Sequence, residues 1–158
     1  MKSPWFVIGP DEGEVLHLRP PARSGAVTIK VDPKNTGSHR LAMGHQRLGP
    51  GGSIPVHLHE RQDEILFVHA GRADVILEEQ RLPAPTGTTV FVPEGVWHGV
   101  DNAGTDVLHL VWIITPPGLE EMFRAISTTA GVESPPMTRD EFVGLARRHG
   151  MHVRAPGA

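Results

Sequence analysis

Residues Gly51 to Gly71 read GGSIPVHLHERQDEILFVHAG, and the reading of this stretch decides the fold. Side chains alternate faces along a strand, so His57 and His59, two apart, present both imidazoles to one side of a sheet. They form a chelating pair. Glu64 lies five positions beyond His59, an odd offset that would turn it to the opposite face of one continuous strand. The polar run Glu60, Arg61, Gln62, Asp63 breaks the strand and resets that parity. The expected element is a β-hairpin: Glu64 opens a second strand, Ile65 to Ala70, and faces the same metal from across the hairpin. Gly71 ends that strand.

A second stretch runs Gly87, five residues, Pro93-Glu94-Gly95, two residues, His98, three residues, Asn102. Together the two stretches resemble the paired motifs of the cupin superfamily, with the glycines, His57, His59, Glu64, Pro93, Gly95, His98 and Asn102 at that family's spacing. The resemblance covers Gly51 to Asn102, about a third of the chain. It implies an all-β double-stranded β-helix, a jelly-roll barrel, with one divalent metal held by His57, His59, Glu64 and His98. A lone His-x-His is a weak signal, whereas the two blocks together are specific.

At 158 residues the chain is expected to be one domain, residues 1–158, with a barrel core at about 39–115 and a helical extension at 116–158. A chain of that length buries a core without disulfides or a structural ion, so the metal is expected to be functional. The absence of cysteine excludes a disulfide framework and a thiolate zinc site, leaving imidazole and carboxylate donors. Fifteen basic against eighteen acidic side chains give a formal charge of −3 with no basic run. That balance argues against nucleic acid or an anionic membrane as partner and for a small neutral or weakly charged ligand. The opening MKSPWFVIGPDEGE has too short an apolar patch for a signal peptide. No apolar run reaches the length of a membrane span, so a cytoplasmic location is expected.

Eighteen glycines and fifteen prolines, scattered between short apolar runs, are what many tight turns between many short strands require. Strands are expected at Trp5 to Ile8, Glu14 to Leu18, Ala26 to Val31 and Leu41 to Leu48. After the first motif they are expected at Ala73 to Leu77, Thr88 to Val92, Val96 to Val100 and Val107 to Thr115. Glu78 to Pro85 reads as a polar, proline-bearing connection. About ten short strands favour a closed barrel or two-sheet jelly roll over an open sheet. Beyond Pro116-Pro117, Leu119, Met122, Phe123 and Ile126 recur at helical spacing, giving an amphipathic helix over Gly118 to Ser127. A second helix, Arg139 to His149, has a capping box in Thr138 and Glu141, a buried face in Phe142, Leu145 and Ala146, and Gly150 as its stop. Thr128 to Pro136 is expected as a loop.

Outside the motifs, His45 is the one histidine kept as a candidate pocket residue. His17, His39, His69, His109, His149 and His152 are expected to be ordinary surface or core residues. Alternation places Leu66, Val68, Val96 and Val100 on the inner face, making an apolar pocket, and turns Phe67 and Trp97 away. Gly51, Gly71, Gly87 and Gly95 are turn residues, and Asn102 closes a turn.

Three neutral imidazoles and one carboxylate leave a dication with a net charge of about +1 and, in an octahedral shell, two adjacent open positions. Such a centre suits a chelating catechol, enediol or hydroxyketone, or one oxygen ligand beside dioxygen. Iron, nickel, manganese or cobalt is favoured; zinc, tetrahedral and saturated by four protein ligands, would point to a binding role. Among small single-barrel cupins of similar kind are quercetinase-like dioxygenases, isomerases, lyases and binding proteins, so the fold does not decide between them. The leading expectation is a metal-dependent dioxygenase or related oxidoreductase acting on a small oxygen-rich compound, such as an aromatic diol or flavonol, with Glu64 as proton acceptor when detached from the metal. The alternatives are an enediol isomerase or lyase and a non-catalytic metabolite-binding protein. A phosphosugar isomerase would need a basic cluster at the site, where only Arg40 and Arg47 are near in sequence. Finally, the apolar run Trp5 to Ile8 reads as an unpaired edge strand and, with the resemblance, implies a homodimer.

Overall fold

In a computed structural model, which describes residues 5–128, 132 and 134–155, the chain forms two antiparallel sheets, with helices packed on the first strand and the last two. The strands are β1 (Glu14–Leu18), β2 (Ala26–Val31), β3 (Ala42–Leu48), β4 (Ser53–His59), β5 (Asp63–Ala70) and β6 (Arg72–Leu77). They continue with β7 (Gln80–Pro85), β8 (Thr89–Val92), β9 (His98–Asn102), β10 (Leu108–Thr115), β11 (Ser127–Thr128) and β12 (Met151–Val153). One sheet has the order β11-β1-β2-β3-β10-β5-β8 and the other β12-β4-β9-β6-β7. This is the jelly-roll barrel. Helices are α1 (Pro33–Thr36), α2 (Leu119–Ile126) and α3 (Arg139–Arg148), and no helix among the described residues is long and apolar enough to cross a membrane.

Alternation builds the core. Along β10, Leu108, Leu110, Trp112 and Ile114 are all buried, while His109, Val111 and Ile113 between them are only half-buried on the outer face. Gly44 on β3 pairs with Trp112, and a Cβ there would run into the Trp112 indole and the Thr28 carbonyl. The glycine makes room for the largest buried side chain. Helix α2 buries Leu119, Met122, Phe123 and Ile126, with Phe123 5.6 Å from Trp112 between ring centroids. Its polar side is anchored by Arg124, which bonds Glu14 on β1, Glu121 on its own helix and the buried Asp32 at 2.6 Å.

Several expectations change. β4 and β5 are not a hairpin: β4 pairs with β9 and β12, and β5 with β10 and β8, so the chain crosses between sheets at Glu60 to Gln62. Crossing the core, rather than doubling back, resets the parity of Glu64. Glu78 to Pro85 is not a plain connection but contains β7, hairpinned to β6. β7 is an edge strand, where a proline's missing N–H costs no ladder bond. Trp5 to Ile8 is not a strand: among the described residues it pairs with nothing, and Trp5 and Val7 are 70% and 86% exposed. β9 starts at His98, leaving Val96 in the preceding turn and half-buried instead of on the inner face. The strands β11 and β12, two and three residues long, are too short to show a period in the sequence. Of the Thr128 to Pro136 loop, residues 129–131 and 133 lie outside the described residues. The two C-terminal helices lie where periodicity placed them, α3 with the Thr138–Glu141 capping box.

Candidate metal centre

His57 and His59 project from β4 into the space between the sheets, 6% and 2% exposed. His98, the first residue of β9, pairs with His57. Glu64 reaches the same point from β5 on the facing sheet. Their donor atoms all lie within 4.8 Å of one another. A carbonyl only accepts, so the Nδ1–H of His57 donates to Pro55 O at 2.7 Å and that of His98 to Val96 O at 3.0 Å. Each ring thereby turns its Nε2 to the centre, and on His98 that nitrogen becomes a metal donor once the proton it shares with Glu64 is released. Glu64 Oε2 lies 2.9 Å from His98 Nε2 and 3.4 Å from His59 Nε2.

Burial opposes a charge on Glu64, but the contacts from His59 and His98 outweigh it and hold the carboxyl well below the usual carboxylate range. Burial also works against a proton on His98, and the Glu64 carboxylate overcomes it, raising His98 above its ordinary value. His57 is pushed well below its ordinary value by burial and then by His98 and His59. His59 Nε2 is buried without a hydrogen-bond partner, which in a packed interior calls for a missing neighbour. Three imidazole nitrogens and one ionised carboxylate are a donor set suited to a divalent transition ion. The four residues could hold one.

The centre lies at the floor of a cavity of about 690 Å³. Its walls are largely apolar, including Leu66, Val100, Ile54, Met122, Phe123 and Phe142. Val68 is buried but does not line it. His45 is not a pocket residue: it points from the outer face of its sheet, its ring 4.9 Å from His109, which is 4.9 Å from His69. The β3 residue that does line the cavity is its neighbour Gln46, whose Nε2 donates to Ser24 O at 2.8 Å, leaving Oε1 as an acceptor. Alternation along Leu41 to Leu48 could have found it, since Ala42 and Leu48 are the apolar face and Gln46 shares their parity. Arg40 and Arg47 do not line the cavity, whereas Arg19, Arg23, Arg139 and Arg154 do. No local motif marks those four, because they come from separate ends of the chain.

Asn102 serves the scaffold. Its amide donates to the carbonyls of Leu48, Gly49 and Asp106 at 3.0, 3.0 and 2.8 Å, tying the turn before β4 to the turn after β9. A second cluster of acids, Asp32, Glu120 and Glu121, is occupied by Arg124 and by the Gly118 N–H. It anchors α2.

A cupin domain family model matches residues 44–114. Protein SchB of Streptomyces halstedii is 31% identical over 94 residues, covering 60% of this chain and 68% of that protein. With the two-sheet barrel and its histidine-carboxylate centre, these matches place the chain in a family: it belongs to the cupin superfamily. The tetracenomycin polyketide synthase protein TcmJ of Streptomyces glaucescens is 26% identical over 94 residues, 60% of this chain and 63% of that protein. At the level of fold, a sugar phosphate isomerase of the cupin superfamily from Silicibacter pomeroyi superposes with a TM-score of 0.60. That match has 19% identity and covers 71% of this chain and 76% of that one.

Proposed function

We propose that this cupin is a metal-dependent oxidoreductase of the dioxygenase type, acting on an apolar, oxygen-rich aromatic compound such as a diol, a flavonol or an aromatic polyketide. The observation that carries the reading is the convergence of His57, His59, Glu64 and His98 on the floor of an apolar cavity. A divalent iron, nickel, manganese or cobalt ion held there would supply Lewis acidity and, where redox-active, a path for electrons to dioxygen. The side chains around it divide the remaining work. Leu66, Val100 and Phe123 exclude water and favour a flat apolar substrate. Gln46 offers Oε1 to a substrate hydroxyl. Glu64, held ionised, is the proton acceptor nearest the reacting end of the ligand when it detaches from the metal.

The similarity to TcmJ, a polyketide synthase protein, supports an oxygen-rich, polyketide-like substrate. The apolar belt beside the metal centre speaks against a hydrophilic sugar there, and the Silicibacter isomerase shares the fold alone. The test is elemental analysis of untagged protein, followed by oxygen uptake against aromatic diols, flavonols and polyketide-like hydroxyquinones. Iron, nickel or manganese with uptake is expected; bound zinc with no turnover would leave only a binding protein.

A second reading, an isomerase or lyase working through an enediol, is favoured by the 2.9 Å Glu64–His98 pair, which can take up a proton and return it. It predicts solvent deuterium entering the substrate with no oxygen consumed. The proposal also includes a homodimer, supported by the exposed apolar residues Trp5, Val7 and Phe91.

A further inference from the structure

The residues lining the cavity run from fully buried to exposed, and this gradient gives it a floor and a mouth. His57, Glu64, His98 and Gln46 are buried at the floor; Pro21, Arg23, Arg139 and Ala155 are exposed at the mouth. The mouth is framed by the β1–β2 connection, the start of α3 and the segment after β12, and every one of these contributes an arginine. Arg154 is already engaged: it lies 3.4 Å from Glu79 Oε1 and 4.9 Å from the centre of the Trp97 ring.

The other three are not neutralised. Arg19 donates to Pro135 O at 3.2 and 2.8 Å, Arg23 to Gly51 O at 2.5 Å, and Arg139 to Arg154 O at 3.3 Å. These are backbone carbonyls, which orient a guanidinium without cancelling its charge. Among the described residues none of the three is in an ion pair. Glu141, whose carboxyl is lowered first by its bonds with Thr138 and only last by Arg19, is committed to capping α3. The only carboxylate among the described lining residues is Glu64, on the floor. The cavity is therefore polarised, with donors for a metal at one end, an apolar belt in the middle and uncompensated cations at the entrance.

We infer that the ligand of this cavity carries a carboxylate at the end remote from the metal centre, received at the mouth by Arg19, Arg23 and Arg139. The inference rests on the proposed metal-centred reading, and it narrows the neutral or weakly charged ligand that net charge implied to one with an anionic end. A chain at −3 overall still presents a local positive field where its low-dielectric walls focus it. Arginine suits the task, because its fork pairs with a carboxylate through two parallel bonds.

The test is isothermal titration of the full chain, loaded with nickel(II), with caffeate and two longer catechol-terminated carboxylates, each beside its methyl ester. The acid of best-fitting length is expected to bind about tenfold more tightly than its ester. Arg23→Ala/Arg139→Ala should bring the acid down to the level of the ester and leave the ester unchanged. Equal affinity of acid and ester in the unaltered protein, or a preference that survives the double variant, overturns the inference. His98→Ala separates this failure from that of the metal reading. If both affinities fall together in that variant, the catechol end meets the metal centre; if both are unchanged while the acid preference persists, the metal reading fails and the anion site stands. Binding of neither ligand to the unaltered protein overturns both.

Discussion

His98 stands directly opposite His57 on the neighbouring strand, ring centroids 4.2 Å apart, while its Nε2 reaches 2.9 Å across the core to Glu64 on the other sheet. The one Nε2 thus serves two states: protonated, it donates to the buried carboxylate, and deprotonated, it joins Glu64 as a metal donor. His98→Ala should abolish tight metal binding and leave Glu64 with one buried contact fewer, at a cost of about 2–3 kcal/mol. In a chain of this length that lowers the melting temperature by roughly 5–10 °C. The barrel should still unfold cooperatively, since Leu108, Trp112 and Ile114 pack without reference to the site. Calorimetry with and without chelator checks this: the chelator should lower the unaltered protein's transition and leave the variant's unmoved. A non-cooperative transition in the variant would make the site architectural.

Gly44 and Gly49 form a matched pair for testing the core. A Cβ on Gly44 collides with Trp112, whereas one on Gly49 meets nothing within 4 Å. Gly44→Ala should cost about 1–3 kcal/mol through displacement of the indole, with Gly49→Ala near neutral. Urea denaturation compares them, and equal midpoints would show that the Trp112 pocket is loosely packed.

Arg124 holds α2 against the barrel through Glu14, Glu121 and Asp32, and Asp32 is only 2% exposed. Arg124→Ala strands a buried carboxylate, which is expected to cost about 3 kcal/mol, softened because Asp32 still accepts the Lys34 and Asn35 N–H groups. Because Met122 and Phe123 on α2 form part of the cavity wall, ligand affinity should fall as well. Stability loss without any change in ligand binding would mean that α2 does not shape the cavity.

These relationships differ in how far they could be read from the residues alone. The same-face placement of His57 and His59 follows from strand alternation, and the odd offset of Glu64 announced a break between strands. Whether that break was a hairpin or a crossing is settled by pairing partners distant in sequence, such as Val92 for Glu64 and His98 for His57. Edge strands were hidden for a related reason. Pro83 and Pro85 make β7 look like a connection, and Met151–Val153 is too short to show a period, yet it pairs with the strand carrying His57 and His59. The apolar run Trp5 to Ile8 misled in the other direction, because strand propensity without a partner does not make a strand. The arginines at the cavity mouth carry no spacing signal at all.

The outer face of the seven-stranded sheet carries a pH-dependent element in His109, half-buried between His45 and His69 with its Nε2 unpartnered. Burial, then His45, Arg47 and His69, push its pKa down to about 4. Lys30 and Arg47 also face this row, and His45 is lowered as well, by burial first. A base whose folded value lies below its unfolded value of 6.5 is protonated first in the unfolded chain. Its contribution to stability is therefore complete above pH 6.5 and is lost as the pH falls towards 4. Urea midpoints should decline over that window, and the decline should be shallower in His109→Gln. An unchanged slope in the variant would place the pH sensitivity elsewhere.

The proposed homodimer concerns two apolar surfaces. Trp5 and Val7 precede the barrel and are 70% and 86% exposed, while Ile65 and Phe91 pair across β5 and β8 on the outer face, 37% and 60% exposed. A single exposed apolar side chain needs no explanation, but adjacent ones on an outer sheet face favour association. A stable two-fold interface covers roughly 600–1,000 Å² on each copy, and a surface of 8996 Å² has room for it. Light scattering at micromolar concentration should give about twice 17.2 kDa. Phe91→Glu and deletion of the residues before Gly9 identify the surface: the change that shifts the mass to that of one chain marks the interface. A mass near 17.2 kDa for the unaltered protein would show that these residues stay exposed on a monomer.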